Sequence, residues 1–308
     1  MKYPKVIVLI LSYNGKYLLE DSITSYLAND YPNFQIAVID NGSNDGTEEY
    51  VEKNFPVVKV VRTEKNLAYS GGFNLGLKYA FKQDNADYVL VTNNDVKADK
   101  GVISELIKVA RKDKKIGFVT GKVYYYDNPD ILQTVGKRED PILWNGGHIG
   151  NREKDNGQYE EISERFFADD IFTLVRKELY EEVGGYDTTF QFQSEEYDWQ
   201  ARAKKAGYKI MYTPYAKIWH KDSMTIGKKS AFKAYYDARN PMLVVLLHKS
   251  PQFFRRYFWF HLRKNVFKSS LVSIRQLRIA VTFRKWQGFF STILWGIKNK
   301  KFTLMHFI

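Results

Sequence analysis

The sequence contains no cysteine and no apolar run long enough to cross a bilayer. The missing thiols exclude disulfide bonds, thiolate metal sites and cysteine nucleophiles. An apolar window of about 18 residues is also missing, which predicts no membrane-spanning helix. No Gly-Lys-Ser/Thr sequence occurs, so a phosphate-binding loop of the ATPase type is excluded. Residues 1–4 lead directly into a predicted strand, without a small-residue cleavage site, and we therefore expect no secretory signal.

Acidic residues are missing from the end of the chain. The whole sequence has 308 residues and a net charge of +12. The segment Lys249–Ile308 holds 13 lysines and arginines, no acidic residue and 14 aromatic residues, and the remainder of the chain carries a net charge of −1. A nearly neutral body of 248 residues, long enough for a sizeable core, is therefore followed by a basic, aromatic-rich tail.

The tail is predicted to form amphipathic helices. On a helical wheel, Phe254, Tyr257, Phe258 and Leu262 fall on one side and Arg255, Arg256, Arg263 and Lys264 on the other. Basic and aromatic side chains together favour binding to an anionic membrane surface. The alternative to membrane binding is a helical hairpin that packs on the body and exposes its basic face to solvent. Nucleic acid is not an expected partner, because no recognised nucleic-acid motif accompanies the charge.

Strand and helix patterns alternate in the first half. The strands are predicted at 5–11, 34–39, 57–61 and 88–91, and the helices at 16–29, around 47–51, and from Gly71 or Gly72 to 81. This alternation predicts an α/β fold with a doubly wound, mostly parallel sheet. Right-handed crossovers would bring the ends of the first, second and fourth strands into one crevice.

Small polar loops follow these strands. They are Ser12-Tyr13-Asn14-Gly15, Asp40-Asn41-Gly42-Ser43, Asn66 to Gly72, and Asn93-Asn94-Asp95. Asp95 suits a hard cation that bridges phosphate oxygens. Asp40 could accept a hydrogen bond from a base or a ribose hydroxyl, and Gly71-Gly72 would let the backbone approach a pyrophosphate. Any one of these loops alone is also typical of an ordinary turn.

A wider set of motifs occurs in a fixed order from Val6 to Leu247. To the loops above it adds Val38-Ile39-Asp40, Asn44-Asp45-Gly46-Thr47, Phe73-Asn74, Val183-Gly184-Gly185-Tyr186-Asp187, Glu195 to Arg202, Gly207-Tyr208-Lys209-Ile210, Ile218-Trp219-His220-Lys221 and Arg239-Asn240. In this ordered set the chain resembles family 2 glycosyltransferases of the GT-A fold, in the branch with rhamnosyltransferases and galactofuranosyltransferases. Each motif alone is weak, and the set says less about the sugar than about the family.

The resemblance implies a metal site and a base. Asp95 matches the last carboxylate of the Asp-x-Asp motif, with Asn93 in place of the first, and His220 matches the histidine that completes the metal shell, so Mg²⁺ or Mn²⁺ is the expected cofactor. Glu196, six residues before Arg202, matches the general base, and Glu195 is the second candidate.

The resemblance also implies which residues bind substrates. The donor would be bound by Ser12, Tyr13, Asn14, Asp40, Asn41, Asn66, Gly71, Gly72, Asn74, Asn93, Asn94 and Asp95. Trp144, Trp199 and Arg239 are candidate acceptor-binding residues, within or after a region from Tyr124 to Phe167 that we assign to acceptor binding by its position.

These expectations define an inverting glycosyltransferase. Residues 1–96 would bind the nucleotide sugar, residues 97–248 the acceptor, and residues 249–308 would form the tail. The expected donor is dTDP-rhamnose, with a UDP-sugar as the alternative, and the expected acceptor is a glycan or lipid-linked glycan of the cell surface. A processive polysaccharide synthase or a polyprenyl-phosphate glycosyltransferase stays open as another branch, although both usually have spanning helices and the Gln-x-x-Arg-Trp of the synthases is absent. A non-catalytic module that binds nucleotide and membrane stays open, as does a homodimer. The expected location is the cytoplasmic face of the membrane.

Overall fold

The computed structural model describes residues 3–221 and 230–303. The chain divides into two compact units. The first comprises Met1–Arg138, Asn145–Gln191 and Trp199–Asp222, and the second comprises Glu139–Trp144, Phe192–Asp198 and Ser223–Ile308. The first two residues of the chain and the last five residues of the predicted tail lie outside the described residues.

The first half of the first unit alternates strand and helix, as predicted. Its elements are β1 (Val6–Ser12), α1 (Leu19–Leu27, preceded by a 3₁₀ turn at Lys16–Leu18), β2 (Phe34–Asp40), α2 (Thr47–Asn54), β3 (Lys59–Arg62), α3 (Ala68–Lys78, continued by a π-helical turn at Tyr79–Gln83), β4 (Tyr88–Asn93), β5 (Val96–Ala98) and α4 (Val102–Ala110). The predicted start of the third helix was wrong, since α3 begins at Ala68 rather than at Gly71 or Gly72.

The rest of the first unit is richer in strands. It contains β6 (Ile116–Tyr125), β7 (Asn128–Thr134), β8 (Lys137–Asp140), β9 (Trp144–His148), β10 (Ser163–Glu164), β11 (Phe172–Arg176), α5 (Lys177–Val183), α6 (Glu195–Lys205) and β12 (Lys209–His220). Strands β8 and β9 form a separate two-stranded sheet. The first four residues of α6 and parts of β8 and β9 fall in the segments that are grouped with the second unit.

One mixed sheet organises the first unit. Its strand order is β10-β12-β6-β11-β4-β1-β2-β3, with β5 beside β12 and β7 beside β6. Strands β4, β1, β2 and β3 are parallel, whereas β11 runs antiparallel between β4 and β6. The central strands are apolar on both faces because helices cover the sheet, as in other parallel sheets. The predicted α/β class with a parallel-rich sheet is confirmed.

The second unit is helical. It contains α7 (Ala231–His248), α8 (Pro251–Phe260), a π-helical stretch at His261–Lys268, α9 (Ser269–Arg275) and α10 (Ile279–Lys298). Helix α10 packs along α7, and Gly288 allows this because a Cβ there would collide with the carbonyl of Tyr235. Thr292 Oγ1 also donates to the carbonyl of Arg239 at 2.9 Å. Most of the predicted tail therefore packs with α7.

This packing decides which apolar side chains of the tail are accessible. Phe254 and Tyr257, on the apolar side of the wheel drawn from the sequence, are buried within the second unit. Helix α10 instead presents an exposed apolar stripe, formed by Ile279, Phe283, Phe290, Leu294 and Ile297. Among the helices that the structure describes, none combines the length and apolar character needed to cross a bilayer.

Candidate active site

The ends of three parallel strands meet at one edge of the sheet. Ser12 at the end of β1 lies beside Asp40 at the end of β2, and Leu11 lies beside Asn93 at the end of β4. The loops that follow these strands therefore converge, as predicted. Asn94 Nδ2 donates to Ser12 Oγ at 3.3 Å, and both side chains are buried. Open α/β sheets bind ligands at this edge.

The loops after β1 and β2 are joined by hydrogen bonds. The backbone N–H of Asn14 donates to Ser43 Oγ at 3.0 Å, and Asn14 Oδ1 accepts from the N–H of Asn44 at 2.8 Å. Asn14 adopts a left-handed backbone with φ of 48°. The side chain of Tyr13 remains exposed. Within this loop, Tyr13 is accordingly the large side chain that a ligand can reach.

Asp40 is completely buried and already has partners. Its Oδ2 atom lies 2.7 Å from Arg62 Nη1, and its Oδ1 atom accepts from the N–H of Ser43 at 2.9 Å. Arg62 Nη2 also donates to the carbonyl of Ser43 at 2.9 Å. The carboxylate thus fixes the loop after β2, and its contact with a base or ribose stays a prediction.

Asn41 and Asn66 shape the loop that enters α3. Asn41 Nδ2 donates to the carbonyl of Ala68 at 2.9 Å and to Asn66 Oδ1 at 3.1 Å, while Asn41 Oδ1 accepts from the N–H of Leu67 at 2.9 Å. Asn66 Oδ1 also accepts from the N–H of Ala68 at 2.7 Å. These bonds hold Ala68 at a φ of 61°.

Three residues predicted to bind the donor have structural roles within the first unit, and their contact with a donor stays a prediction. Gly71 and Gly72 lie inside α3, and a Cβ on Gly72 would come within 2.6 Å of Leu11 Cδ1, so this glycine permits close packing of α3 on β1. A Cβ on Gly71 would meet Leu67 Cβ at 2.8 Å. Asn74 donates to the carbonyl of Tyr186 at 2.8 Å and accepts from its N–H at 2.9 Å, which pins the segment after Gly185.

The structure brings Asp95 and His220 together. Strand β5, which starts directly after Asp95, pairs with the end of β12, so Val96 lies beside His220. His220 Nε2 is 3.1 Å from Asp95 Oδ1, and both side chains are buried. His220 Nδ1 lies 2.9 Å from Gln133 Oε1. Asn93, at the end of β4, accepts from Tyr69 OH at 3.3 Å.

The hydrogen-bonding roles around His220 favour a cation. An amide oxygen only accepts, so Gln133 Oε1 assigns the proton of a neutral His220 to Nδ1. Nε2 then faces a carboxylate oxygen at 3.1 Å, a contact that either a second proton on the ring or a bound metal ion makes favourable. Ligands about 2.1 Å from an octahedral metal and cis to each other are separated by about 3 Å. The separation and chemistry of these two donors therefore fit a divalent metal.

Glu195 and Glu196 begin α6, where their negative charge suits the helix dipole. Glu195 is buried and Glu196 is half-buried. The two residues before them, Gln193 and Ser194, both have left-handed backbones, with φ of 64° and 67°. Consecutive non-glycine residues in this region are strained, which is common at functional sites.

Asn240 stabilises that turn within the second unit. This fully buried residue donates from Nδ2 to the carbonyls of Phe192 and Gln193, at 2.7 and 2.8 Å. Arg239 Nη1 donates to Asn240 Oδ1 at 2.6 Å and so orients the amide. The turn that presents the two glutamates is therefore fixed by the Arg239-Asn240 pair.

The predicted acceptor-binding residues are mostly inaccessible. Trp199 is 1% exposed and donates from Nε1 to the carbonyl of Gly184 at 2.7 Å, so it is a core residue and that prediction was wrong. Trp144 is buried, with the ring of His248 at a centroid distance of 5.7 Å and Lys249 Nζ over its ring. This agrees with the packed-loop alternative rather than with sugar stacking. Arg239 is buried and engages Asn240.

Sequence reasoning missed Gln133, the clamp by Asn240 and a buried cluster around Asp169. None of these forms a short motif with a fixed spacing, and their partners are far away in the sequence. Asn240 belongs to a quoted motif, but its partners at Phe192 and Gln193 are visible only in the fold.

The sequence model of glycosyl transferase family 2 matches residues 7–184. Relatives named poly-beta-1,6-N-acetyl-D-glucosamine synthase, from Staphylococcus aureus strain COL and Staphylococcus epidermidis strain RP62A, are each 28% identical over 222 residues, or 71% of this chain and 50% of theirs. The chain thus spans about half the length of these curated relatives.

Two solved structures resemble the fold. One is a mannosyltransferase from Pyrobaculum calidifontis in complex with GDP-Man and Mn²⁺, with a TM-score of 0.54 and 16% sequence identity. The alignment covers 97% of this chain and 76% of the mannosyltransferase chain. The other is GalNAc-T7 with UDP, GalNAc and Mn²⁺, with a TM-score of 0.62 and 16% sequence identity. This alignment covers 97% of this chain and 58% of the GalNAc-T7 chain. At these identities the likeness concerns the fold, and the predicted GT-A architecture is confirmed.

Proposed function

Because the chain belongs to glycosyl transferase family 2, whose match spans residues 7–184, we propose that it is an inverting, metal-dependent enzyme that moves a hexose from a nucleotide sugar to a glycan or lipid-linked glycan. The predicted family and enzyme class are confirmed by this match. The observation that carries the proposal is the facing pair of Asp95 and His220 at the ligand-binding edge of the sheet. The rhamnosyltransferase or galactofuranosyltransferase branch stays a prediction.

In this proposal Asp95 and His220 hold Mg²⁺ or Mn²⁺, and Gln133 orients the imidazole. When bound, the metal supplies positive charge to the diphosphate oxygens as the nucleotide leaves. The loops after β1, β2 and β4 position the nucleotide, with Ser12, Tyr13, Asn14, Asn41 and Asn66 in or beside them. Residues 1–96 are the proposed nucleotide-sugar half, and residues 97–248 the proposed acceptor half.

Glu196 is the proposed general base, and Glu195 is the second candidate. A sugar hydroxyl has a high pKa, so its proton must pass to a base as the oxygen attacks the anomeric carbon. Attack on the face opposite the departing diphosphate inverts that carbon. The strained turn at Gln193 and Ser194 supports this assignment, because it orients the first residues of α6.

Two donors are in competition. The resemblance of the motifs favours dTDP-rhamnose, whereas the names of the curated relatives favour UDP-N-acetylglucosamine. A screen of dTDP-rhamnose, UDP-N-acetylglucosamine, UDP-galactofuranose and GDP-mannose would decide between them. Release of nucleoside diphosphate is measured with octyl glycosides or membrane lipid as acceptors. One donor should be used with Mg²⁺ or Mn²⁺ and not in excess chelator. Binding of a nucleotide without any turnover would favour the non-catalytic alternative.

We also propose that the second unit docks on an anionic membrane surface at the cytoplasmic face. The apolar stripe of α10 is exposed, and α9 adds the exposed residues Leu271 and Ile274. The exposed cations Lys264, Lys268, Arg275 and Lys298 lie on the same helices or beside them. With no acidic residue after Lys249, this surface complements anionic headgroups. A second copy of the chain is the competing occupant of the stripe.

A further inference from the structure

A histidine outside the predicted site is held by a buried ion pair. His148 Nδ1 lies 3.2 Å from Asp169 Oδ2, and Lys137 Nζ lies 2.8 Å from Asp169 Oδ1. Thr134 Oγ1 donates to Asp169 Oδ2 at 2.9 Å. The side chains of Lys137 and Asp169 are buried, whereas that of His148 is 35% exposed. All four residues belong to the first unit.

The cluster determines which nitrogen of His148 can meet a ligand. Burial alone would raise the pKa of the Asp169 carboxyl, but the Lys137 ammonium and the His148 ring hold it below its usual value. An ionised carboxylate only accepts, so it favours a proton on Nδ1, the ring nitrogen that faces it. The Nδ1 atom is buried beside Asp169 Oδ2 but makes no hydrogen bond of regular geometry within the described residues. Because Nδ1 is buried and the side chain is 35% exposed, Nε2 is the ring nitrogen that a ligand can reach.

The backbone around this cluster is also fixed. Gln200 accepts from the N–H of Ala168 at 2.8 Å and donates to its carbonyl at 3.0 Å, directly before Asp169. Gly136 and Gly147 have φ of 101° and 80°, so the turns beside Lys137 and His148 have backbones that favour glycine. Burying the Lys137–Asp169 ion pair costs desolvation energy, and hydrophobic residues of similar size would stabilise the same loop at a lower cost. The pair is therefore poorly explained by loop stability alone.

The cluster lies at the same edge of the sheet as the Asp95–His220 pair. Strand β11 runs antiparallel to β4, and the N–H of Asn93 donates to the carbonyl of Ile171 at 3.2 Å, two residues after Asp169. Gln133 and Thr134, which are adjacent in β7, contact His220 and Asp169 respectively. Adjacent Cα atoms are about 3.8 Å apart, so the two clusters flank the end of one strand.

We propose that His148 binds the acceptor sugar through a hydrogen bond between Nε2 and one of its hydroxyl groups, and that Asp169, Lys137 and Thr134 position the ring. This inference rests on the proposed function. A hydroxyl is the matching chemistry because it can donate to Nε2 of a neutral ring and accept from Nε2 of a protonated ring. The sequence Asn145-Gly146-Gly147-His148 thereby gains a role.

The test compares His148→Ala, His148→Gln and a control, Glu52→Ala, an exposed residue of α2 outside the region assigned to acceptor binding. The probes are the donor found by the screen and the octyl glycoside that wild type uses. Loss of one hydrogen bond to a substrate should raise the KM for the acceptor about tenfold in His148→Ala, with the KM for the donor at its wild-type value. Gln can place an amide oxygen near the position of Nε2 and should recover part of the loss.

Monodeoxy versions of the acceptor sharpen the result. One of them should be used equally well by wild type and by His148→Ala, because it lacks the hydroxyl that His148 contacts. The inference is overturned if the acceptor KM of folded His148→Ala is unchanged, if every deoxy acceptor shows the same difference, or if the donor KM rises equally. If wild type itself releases no nucleoside diphosphate from any donor, the proposed function has failed instead.

Discussion

The buried side chain of Asn240 donates a 2.8 Å hydrogen bond to the backbone carbonyl of Gln193, a residue in the left-handed region. The same amide nitrogen reaches the carbonyl of Phe192. This residue is distant in the sequence, yet it determines how the chain enters α6. The geometry of Glu195 and Glu196 therefore depends on a polar residue inside a helix of the second unit.

Removing this clamp should affect both stability and turnover. In Asn240→Ala two partly buried carbonyls lose their donor, which should cost roughly 2 kcal/mol of unfolding free energy. Relaxation of the turn should lower kcat at least about tenfold, because small misplacements of catalytic groups are costly. Urea unfolding and steady-state kinetics measure the two effects. Asn299→Ala, where an exposed side chain caps its own helix, is the control. Lower stability with an unchanged kcat would contradict a link to the glutamates.

The metal proposal predicts two different phenotypes. Asp95→Ala removes a ligand and should nearly abolish turnover at any metal concentration. Gln133→Ala leaves both ligands but frees the imidazole, and should raise the Mn²⁺ concentration for half-maximal activity by about 10–100-fold. Activity is measured in metal titrations after treatment with chelator, with the exposed Gln83→Ala as the control. Full turnover of wild type in excess chelator would exclude the proposed metal site.

Glu196→Gln should separate binding from chemistry. The amide keeps the size of the side chain but cannot take a proton, so turnover should fall by roughly 10²–10⁴-fold, while calorimetry shows unchanged binding of the nucleotide sugar. Glu195→Gln is the matched variant and should retain more activity. If the losses are reversed between the two, Glu195 is the base.

Acid should weaken the second unit through His261. Burial lowers the pKa of this histidine to about 4. Its Nε2 donates to the carbonyl of Ala238 at 2.9 Å, and its Nδ1 lies 3.0 Å from Asn265 Nδ2, so the neutral ring is satisfied on both sides. The unfolded chain binds this proton near pH 6.5. The free energy of unfolding should therefore fall between pH 6.5 and 4, by up to about 1.4 kcal/mol per pH unit.

The control for this pH effect is His261→Gln, which lacks the titrating ring. Urea unfolding at several pH values should give a smaller slope for this variant than for wild type. Equal slopes for the two proteins would show that other groups cause the acid sensitivity.

The exposed stripe of α10 should bind anionic lipid. Phe283 and Leu294 are each 67% exposed. Partial burial of each side chain contributes on the order of 1 kcal/mol, so the double variant Phe283→Ser, Leu294→Ser should bind liposomes of phosphatidylglycerol roughly 30-fold more weakly. Binding of wild type should decline as salt rises. Deleting the tail is unsuitable as a test, because α10 packs on α7. Val57→Ser, an exposed apolar residue of the first unit, is the control.

Two results would contradict this membrane role. Equal binding to neutral and anionic liposomes would remove the electrostatic part of the proposal. A wild-type dimer that the double variant converts to monomers, without liposome binding by either protein, would assign the stripe to a second copy.

The sequence alone determined the class of fold and the position of the ligand-binding edge. Strand and helix patterns with local turn residues depend on neighbours within a few positions, so β1, β2 and β4 were predicted nearly at their observed bounds. The ordered motifs also paired Asp95 with His220, although Asp95 lies between β4 and β5 and His220 ends β12.

Tertiary structure decided which polar residues face a ligand and which serve the fold. Gly72 and Asn74 match donor-binding motifs. In the fold, however, Gly72 packs closely against Leu11 and Asn74 forms hydrogen bonds with the backbone of Tyr186. Trp199 has the chemistry of a sugar platform but fills the core. In the tail, periodicity identified an apolar side correctly, but packing buried it and exposed the stripe on α10 instead. These outcomes depend on contacts between residues far apart in the chain, which local sequence patterns do not encode.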